Sequence, residues 1–427
     1  MSTHVDAFSA LRNPHVRRLV SARLCGVTGA QILNVTVGWE LYERTGSAWA
    51  LGLIGLFELA PVLFLTIPAG NVADRYPRRN IVMCAQALFV LAALGLGLLS
   101  YGRGPVEAIY AFLVLVGVAR TFSQAASSTI LPQILPKHEF VNANAWMSST
   151  FQLASVAGPA LGGFVIAWTG GAAAGYIVAA AMELAFIFLI FGLPAIKPAG
   201  HAEKRTTAEL FAGLSFIRKS KIFLAAITLD MFAVLFSGGM ALLPLFAKDI
   251  LHVGPEGLGW LRAAPSVGSM GMALIQTRLK PWQRPGRVLL ITVAGFGVAT
   301  IGFGLSESFY LSLFCLFLTG VFDSVSVVIR ATLEQVVTPD ELRGRVSAIG
   351  YVFIGFSNEF GSFWGGTTAT LFGPVLAVAG GGIGSILVVI AVAVIWPVLL
   401  RIGPLHTLKP DEQLEMEAQI EARKPGV

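Results

Sequence analysis

Gly70-Asn71-Val72-Ala73-Asp74-Arg75-Tyr76-Pro77-Arg78-Arg79 is a short charged stretch between two long apolar ones. To its left, residues 47–72 carry a single charge, Glu58; to its right, residues 80–101 carry none. Each flank is long enough to cross about 30 Å of hydrocarbon as a helix. The charged stretch therefore reads as a loop joining two membrane helices. Its glycine permits tight helix packing, its acid can cap a helix end or pair with arginine, and its bases hold the loop in the cytosol.

The same alternation runs outward through all 427 residues. The chain is 55% hydrophobic and 13% charged, with mean hydropathy +0.74. A soluble domain carries about 25% charged residues, so lipid is the expected solvent. The 47 glycines fit closely packed membrane helices. A barrel would instead show strands of about 10 residues alternating polar and apolar. Cys25, Cys84 and Cys315 fall inside apolar runs, as buried reduced thiols do. The six histidines fall in loops or tails, so no metal site is expected. The first apolar stretch, reaching about Thr45, is too long for a cleaved signal.

Twelve spans are read, at about 17–43, 47–72, 80–101, 106–132, 142–168, 172–194, 221–246, 256–276, 287–306, 308–335, 345–371 and 376–400. The expected architecture is an all-α membrane protein. It has a first six-helix bundle over 1–196, a cytoplasmic linker over 197–219, a second bundle over 220–402 and a cytoplasmic tail over 403–427. The linker holds Lys197, Lys204, Arg205, Arg218 and Lys219, and an amphipathic stretch, Thr207–Ile217, suited to the membrane surface. Most of the 30 basic residues fall in the N-terminus, the even-numbered loops and the tail. Arg44, Arg103 and Lys248 alone lie in odd-numbered loops, which predicts two cytoplasmic termini. The same topology accounts for the net charge of +6 without nucleic acid.

The halves echo each other at a shift of about 203 residues. Gly117 falls on Gly320, Pro136 on Pro339, and Gly158, Gly162 and Gly163 on Gly361, Gly365 and Gly366. Leu131–Leu135 echoes Leu333–Val337, and Glu58–Pro61 echoes Arg262–Pro265. Duplicated halves with a substrate site where they meet are a recurring transporter plan.

The Gly70–Arg79 stretch is similar to the G-x-x-x-D-R-x-x-R-R signature of the major facilitator superfamily, at that family's position. Gly158-Pro159-Ala160-Leu161-Gly162-Gly163 resembles the Gly-Pro motif of its exporters, though a purely structural kink has the same composition. Three patches resemble the branch of enterobactin (siderophore) exporters and macrolide-efflux proteins: Phe8–Pro14, Trp39–Ser47 and Thr338–Arg345. The superfamily resemblance spans residues 8–400. It departs at the eighth-to-ninth loop, Gln276–Arg287, which lacks the D-R core, and at Arg120, where Gly117 precedes the arginine. The resemblance implies the major facilitator fold: two pseudo-symmetric six-helix bundles around a cavity lined by the first, fourth, seventh and tenth helices. Gly70, Asp74, Arg75, Arg78 and Arg79 would form a cytoplasmic latch stabilising the outward-open state.

Ionisable groups at the bilayer centre cost about 2.5–3.5 kcal/mol each on insertion scales and mark function by default. Eight are read as intramembrane charges: Arg23, Glu58, Arg120, Asp230, Arg262, Asp323, Arg330 and Glu359. Equal numbers of acids and bases suggest pairing across helices. Arg120 and Asp323 occupy equivalent places in the two halves and are expected to face each other across the cavity. A static salt bridge is the competing reading, and Arg330, seven residues from Asp323 on one helical face, is a competing partner. Asp323, Asp230, Glu58 and Glu359 are the proton-coupling candidates. Arg120, Asp323, Arg330, Asn34, Gln31 and Gln124 are the substrate-binding candidates.

The expected function is proton-driven export of an amphiphilic small molecule, such as a siderophore or drug, from the inner membrane by a monomer with no cofactor. Uptake symport, lipid or lysolipid movement, and a non-transporting receptor are the alternatives. An enzyme is not expected, because His-x-x-x-x-Asp and Gly-x-Ser-x-Gly are absent; Gly-x-x-x-x-Gly-Lys-Ser/Thr is absent too, against an ATP-driven pump.

Overall fold

The computed structural model describes residues 8–127, 130–135, 139–195, 215–218 and 220–405. Among these, the chain is helical throughout. The twelve expected spans become α1 (Pro14–Thr45), α2 (Ala48–Arg75), α3 (Arg78–Tyr101), α4 (Val106–Ser127), α5 (Phe140–Thr169), α6 (Ala172–Phe191), α7 (Lys221–Ser237), α8 (Gly254–Gln276), α9 (Pro285–Gly304), α10 (Phe309–Val337), α11 (Asp340–Phe372) and α12 (Pro374–Ile395). Among the described residues, nine of these helices, counting the seventh through Ile250, are long and apolar enough to cross a membrane. The other three are α1, α8 and α11. They carry Arg23 and Glu40, Glu256 and Arg262, and Glu359 respectively, charges that lower their mean hydropathy.

Local chemistry sets the ends. Asn13 caps α1 by accepting from the His15 amide at 2.9 Å, with Pro14 at the first helical position, where a missing amide proton costs nothing. Ser47 and Ser220 cap α2 and α7 in the same way. Gly170 and Gly373, 203 residues apart, end α5 and α11 with φ of 70° and 86°, a conformation that L side chains resist.

Two compact units divide the chain. The first is Met1–Arg205 with Leu243–Ala263; the second is Thr206–Leu242 with Ala264–Val427. In the first, α1 packs on α5 and α6, α3 on α4 and α6, and α2 on α4. In the second, α7 packs on α11 and α12, and α9 on α10 and α12. The α8–α10 contact completes the series, because a Cβ on Gly320 would collide with the backbone of Pro265. Each pair in one unit thus returns six helices later in the other. The sequence echo has a direct cause here. A Cβ on Gly117 would lie 2.9 Å from the Glu58 carbonyl and 3.0 Å from Pro61, the same glycine-on-proline contact as Gly320 on Pro265. Apolar side chains gain little by leaving lipid for protein, so close backbone approach supplies the packing.

Some span ends differ from expectation. The eleventh begins at Asp340 rather than near 345, and the twelfth ends at Ile395, just ahead of Trp396-Pro397, rather than near 400. The seventh, expected to run unbroken over 221–246, breaks after Ser237. A 3₁₀ turn (Gly239–Leu242), a single α turn (Leu243–Leu245) and a π turn (Phe246–Ile250) follow. Gly238 sits backbone to backbone with α11: a Cβ there would be 2.9 Å from the Cα of Gly365. Pro136, most of the linker with positions 207–214 of its amphipathic stretch, and the tail from His406 lie outside the described residues.

Candidate functional site

A cluster of charge inside the second unit centres on Arg330 of α10. Its Nη1 is 2.5 Å from Oδ2 of Asp230 on α7, and its Nη2 is 3.9 Å from Oδ1 of Asp323, two turns earlier on its own helix. Its Nε donates to Ser326 Oγ at 3.2 Å. One guanidinium thus serves two carboxylates and a hydroxyl, a fan of donors that an ammonium cannot reproduce. The acids differ in surroundings. The Asp230 side chain is 12% exposed, whereas that of Asp323 is 46% exposed. Asp230 is the close, buried partner of Arg330, and Asp323 the more distant and more exposed one. Of the two partners weighed for Asp323, Arg330 makes this contact within the unit.

In the first unit, Arg120 of α4 reaches Oε2 of Glu58 on α2 at 3.4 Å. The Glu58 side chain is 8% exposed and that of Arg120 56%. Both units thus pair a buried acid with a base on a neighbouring helix; the exposed member is the base Arg120 in the first unit and the second acid Asp323 in the other. Gln124, one turn beyond Arg120, is exposed, while Gln31 and Asn34 on α1 are half-buried. Gln31 lies over Gly158, whose added Cβ would meet the Gln31 Cβ at 2.6 Å. Glu359 on α11 is half-buried.

The Gly-Pro stretch of α5 makes backbone-level contacts. Gly158 faces Thr28 and Gln31, Gly162 faces Ile32, and Gly163 lies against Gly259 at the start of α8. In the Gly70–Arg79 loop, Arg78 is 3.9 Å from Asp74, and Gly70 is buried. Arg79 turns elsewhere, donating to the Leu193 carbonyl at 2.8 Å with its guanidinium 5.6 Å from the Phe191 ring. Arg18 donates to the Gly192 carbonyl at 2.5 Å. Two bases thus close the C-terminal end of α6, where unpaired carbonyls favour positive charge. Arg75 is exposed. Of the remaining charges, Arg23 lies 5.5 Å from the Phe151 ring, and Arg262 is half-buried.

Three groups are absent from the sequence reading. Glu40, buried in α1, accepts from Tyr176 at 2.7 Å and pairs with Arg44 at 3.2 Å. Tyr42 donates to Asp249 in the turn before α8. Glu183, 1% exposed, sits near the middle of α6. For Glu183 the signal was present, as the lone acid of its span; Glu40 and Tyr42 were masked by their nearness to a span end.

Enterobactin exporter EntS of Escherichia coli O1:K1 / APEC is 26% identical over 88% of this chain and 90% of its own length. The Citrobacter koseri protein of that name is 27% identical over the same shares. Among solved structures, the chain resembles a bacterial homolog to the human lysosomal transporter Spinster, inward-facing and occupied. The TM-score is 0.70 at 14% identity, covering 91% of this chain and 97% of that one. It also resembles a POT family transporter in complex with 5-aminolevulinic acid, with a TM-score of 0.72 at 9% identity, over 90% and 96% of the two chains. At such identity these likenesses speak to the fold. The family described as transmembrane secretion effector matches residues 5–422. The chain therefore belongs to the transmembrane secretion effector family of the major facilitator superfamily, a family of multi-pass transporters and not of enzymes.

Proposed function

We propose that this transporter exports an amphiphilic small molecule in exchange for protons, working as a monomer in the inner membrane with both termini cytoplasmic. The observation that carries the reading is the unequal sharing of Arg330 between Asp230 and Asp323. With both acids ionised, the cluster has one negative charge more than it has positive. Asp323, half-exposed and at the long end of its contact, is the member that can exchange Arg330 for a proton or for a polar group of the substrate. Asp230 keeps Arg330 in place while that happens. An acid that alternates between cation, proton and ligand links the two fluxes, since occupancy by one disfavours the other.

Glu58 and Arg120 act as the corresponding pair of the first half, with Arg120, Gln124, Gln31 and Asn34 as substrate contacts. Glu359 is kept as a further proton candidate. Asp74, Arg75 and Arg78 serve as a cytoplasmic latch. Support for the direction of transport comes from the enterobactin exporters among the relatives and from the Gly-Pro stretch of α5. A siderophore or a lipophilic drug is the proposed substrate class. The positive-inside bias of the loops supports the orientation.

The test is transport in proteoliposomes with a panel of siderophores, macrolides and lysolipids under imposed pH gradients, beside Asp323→Asn. Export driven by a proton gradient, lost in the variant, is the expected result. Normal coupled transport by Asp323→Asn would overturn the coupling assignment, and uptake with inward proton flow, or movement of lysolipid alone, would overturn the export reading.

A further inference from the structure

Glu183 stands apart from every charged cluster described above. It lies about midway along α6 and is the one charged residue of that helix. The residue is 1% exposed, and its Oε2 has no hydrogen-bond partner. Its carboxyl instead rests on the glycine face of α1. A Cβ on Gly26 would lie 3.6 Å from Oε2, and a Cβ on Gly29 would lie 3.3 Å from Oε1. Leu and Ala side chains at these positions would fill the slot, so the glycines leave room for the acid itself. Among the described residues, no ion pair reaches it from α1, α3 or α5, the helices packed on α6. The titratable group that faces it is the thiol of Cys25 on α1.

An ionised carboxylate in such a slot would lose its hydration and gain no cation or donor in return. A neutral carboxylic acid fits, because it is compact and carries its own proton. Intramembrane acids of this kind are retained for function more often than for packing, since an apolar residue would pack more cheaply. The slot itself is walled by glycines of α1, while side-chain bonds join the two helices only at its far ends, Tyr176 donating to Glu40 at 2.7 Å and Arg18 donating to the Gly192 carbonyl at 2.5 Å.

We propose that Glu183 is a proton-binding site of the first half, filled while α6 packs on the glycine face of α1 and emptied when that face opens to water. Proton release then costs little only in the opened arrangement, so proton occupancy at Glu183 biases the α1–α6 contact. The site deepens the proton-coupled reading above and rests on it, but it uses none of the residues assigned there.

The test needs no substrate. Purified protein in liposomes is treated with dicyclohexylcarbodiimide, which modifies protonated carboxyls in apolar surroundings, and the adduct at Glu183 is read by peptide mass spectrometry, with Glu183→Gln as blank. Backbone hydrogen exchange over residues 22–32 and 178–186 is followed across a pH series, corrected for intrinsic exchange. The expected result is an adduct at Glu183 and protection that falls at least fivefold from acidic to alkaline pH. Protection in Glu183→Gln should stay flat. Glu183→Met gives the same flat profile if the glutamine variant does not accumulate. Asp323→Asn should keep the pH response, which separates this site from the coupling acid of the second half. Absence of the adduct at all pH values, or an equal pH profile in wild type and the Glu183 variants, would overturn the proposal.

Discussion

The phenolic hydroxyl of Tyr42, near the end of α1, donates to Oδ2 of Asp249, 207 residues further along the chain. The ammonium of Lys248 stands 5.8 Å from the same ring. Around this point the turn after α7 joins the first unit: Gly38 meets Pro244, and Gly163 meets Pro255 and Gly259. Tyr42→Phe removes the donor while keeping the ring, for a cost of about 1–2 kcal/mol. Hydrogen exchange over residues 243–256 should rise by about fivefold to thirtyfold. Asp249→Asn should have the smaller effect, because an amide carbonyl still accepts. Equal exchange in wild type and Tyr42→Phe would count against a holding role.

Arg330 faces a stricter demand. Arg330→Gln leaves Asp230 buried without its cation, a loss of about 3–5 kcal/mol for a broken buried pair. Folded protein recovered in detergent should fall sharply, read by size-exclusion profile and melting temperature. Arg330→Lys should recover only part, since one ammonium cannot span Asp230, Asp323 and Ser326 together. Asp230→Asn combined with Arg330→Gln should fold better than Arg330→Gln alone.

The glycine contacts predict an ordered series. Gly320→Ala should be the most damaging, because the new methyl meets the rigid backbone of Pro265. Gly117→Ala follows, against the Glu58 carbonyl and Pro61. Overpacking of this kind costs about 1–3 kcal/mol. Gly271→Ala, on the same helix as Pro265 but with nothing within 4 Å, should be neutral or slightly stabilising. Melting temperatures of the three variants in one detergent check the order.

Arg18 and Arg79 converge on the last carbonyls of α6. Their partly exposed setting limits each to about 0.3–1 kcal/mol. Arg79→Ala should exceed Arg18→Ala, since it also removes the contact with the Phe191 ring. The double variant should lower the melting temperature more than either alone, and the difference should shrink at high salt.

Much of this was legible in the sequence for one reason: membrane helices must be long, apolar and internally hydrogen-bonded, so their number and rough ends show in hydropathy. Gly117 and Gly320 could be matched from spacing because the contact they make, on Pro61 and Pro265, was duplicated along with them. The Asp323–Arg330 relation was legible as a seven-residue spacing on one helix. What stayed hidden depended on partners distant in sequence. Nothing near Tyr42 announces Asp249, and nothing near Arg79 announces the end of α6. The interruption after Ser237 also escaped, because Gly238-Gly239 reads equally well as ordinary small-residue packing. The close approach of α11 decides between the two.

That interruption has a consequence for packing. Asp230 lies two turns before Gly238 on regular helix, while the stretch beyond Leu242 takes its neighbours from the other unit. The seventh span is thereby shared out: its first part, with Asp230, is built into the second unit, and its last turns, with Asp249, are built into the first, so substitutions on the two sides of Gly238 disturb separate packing environments.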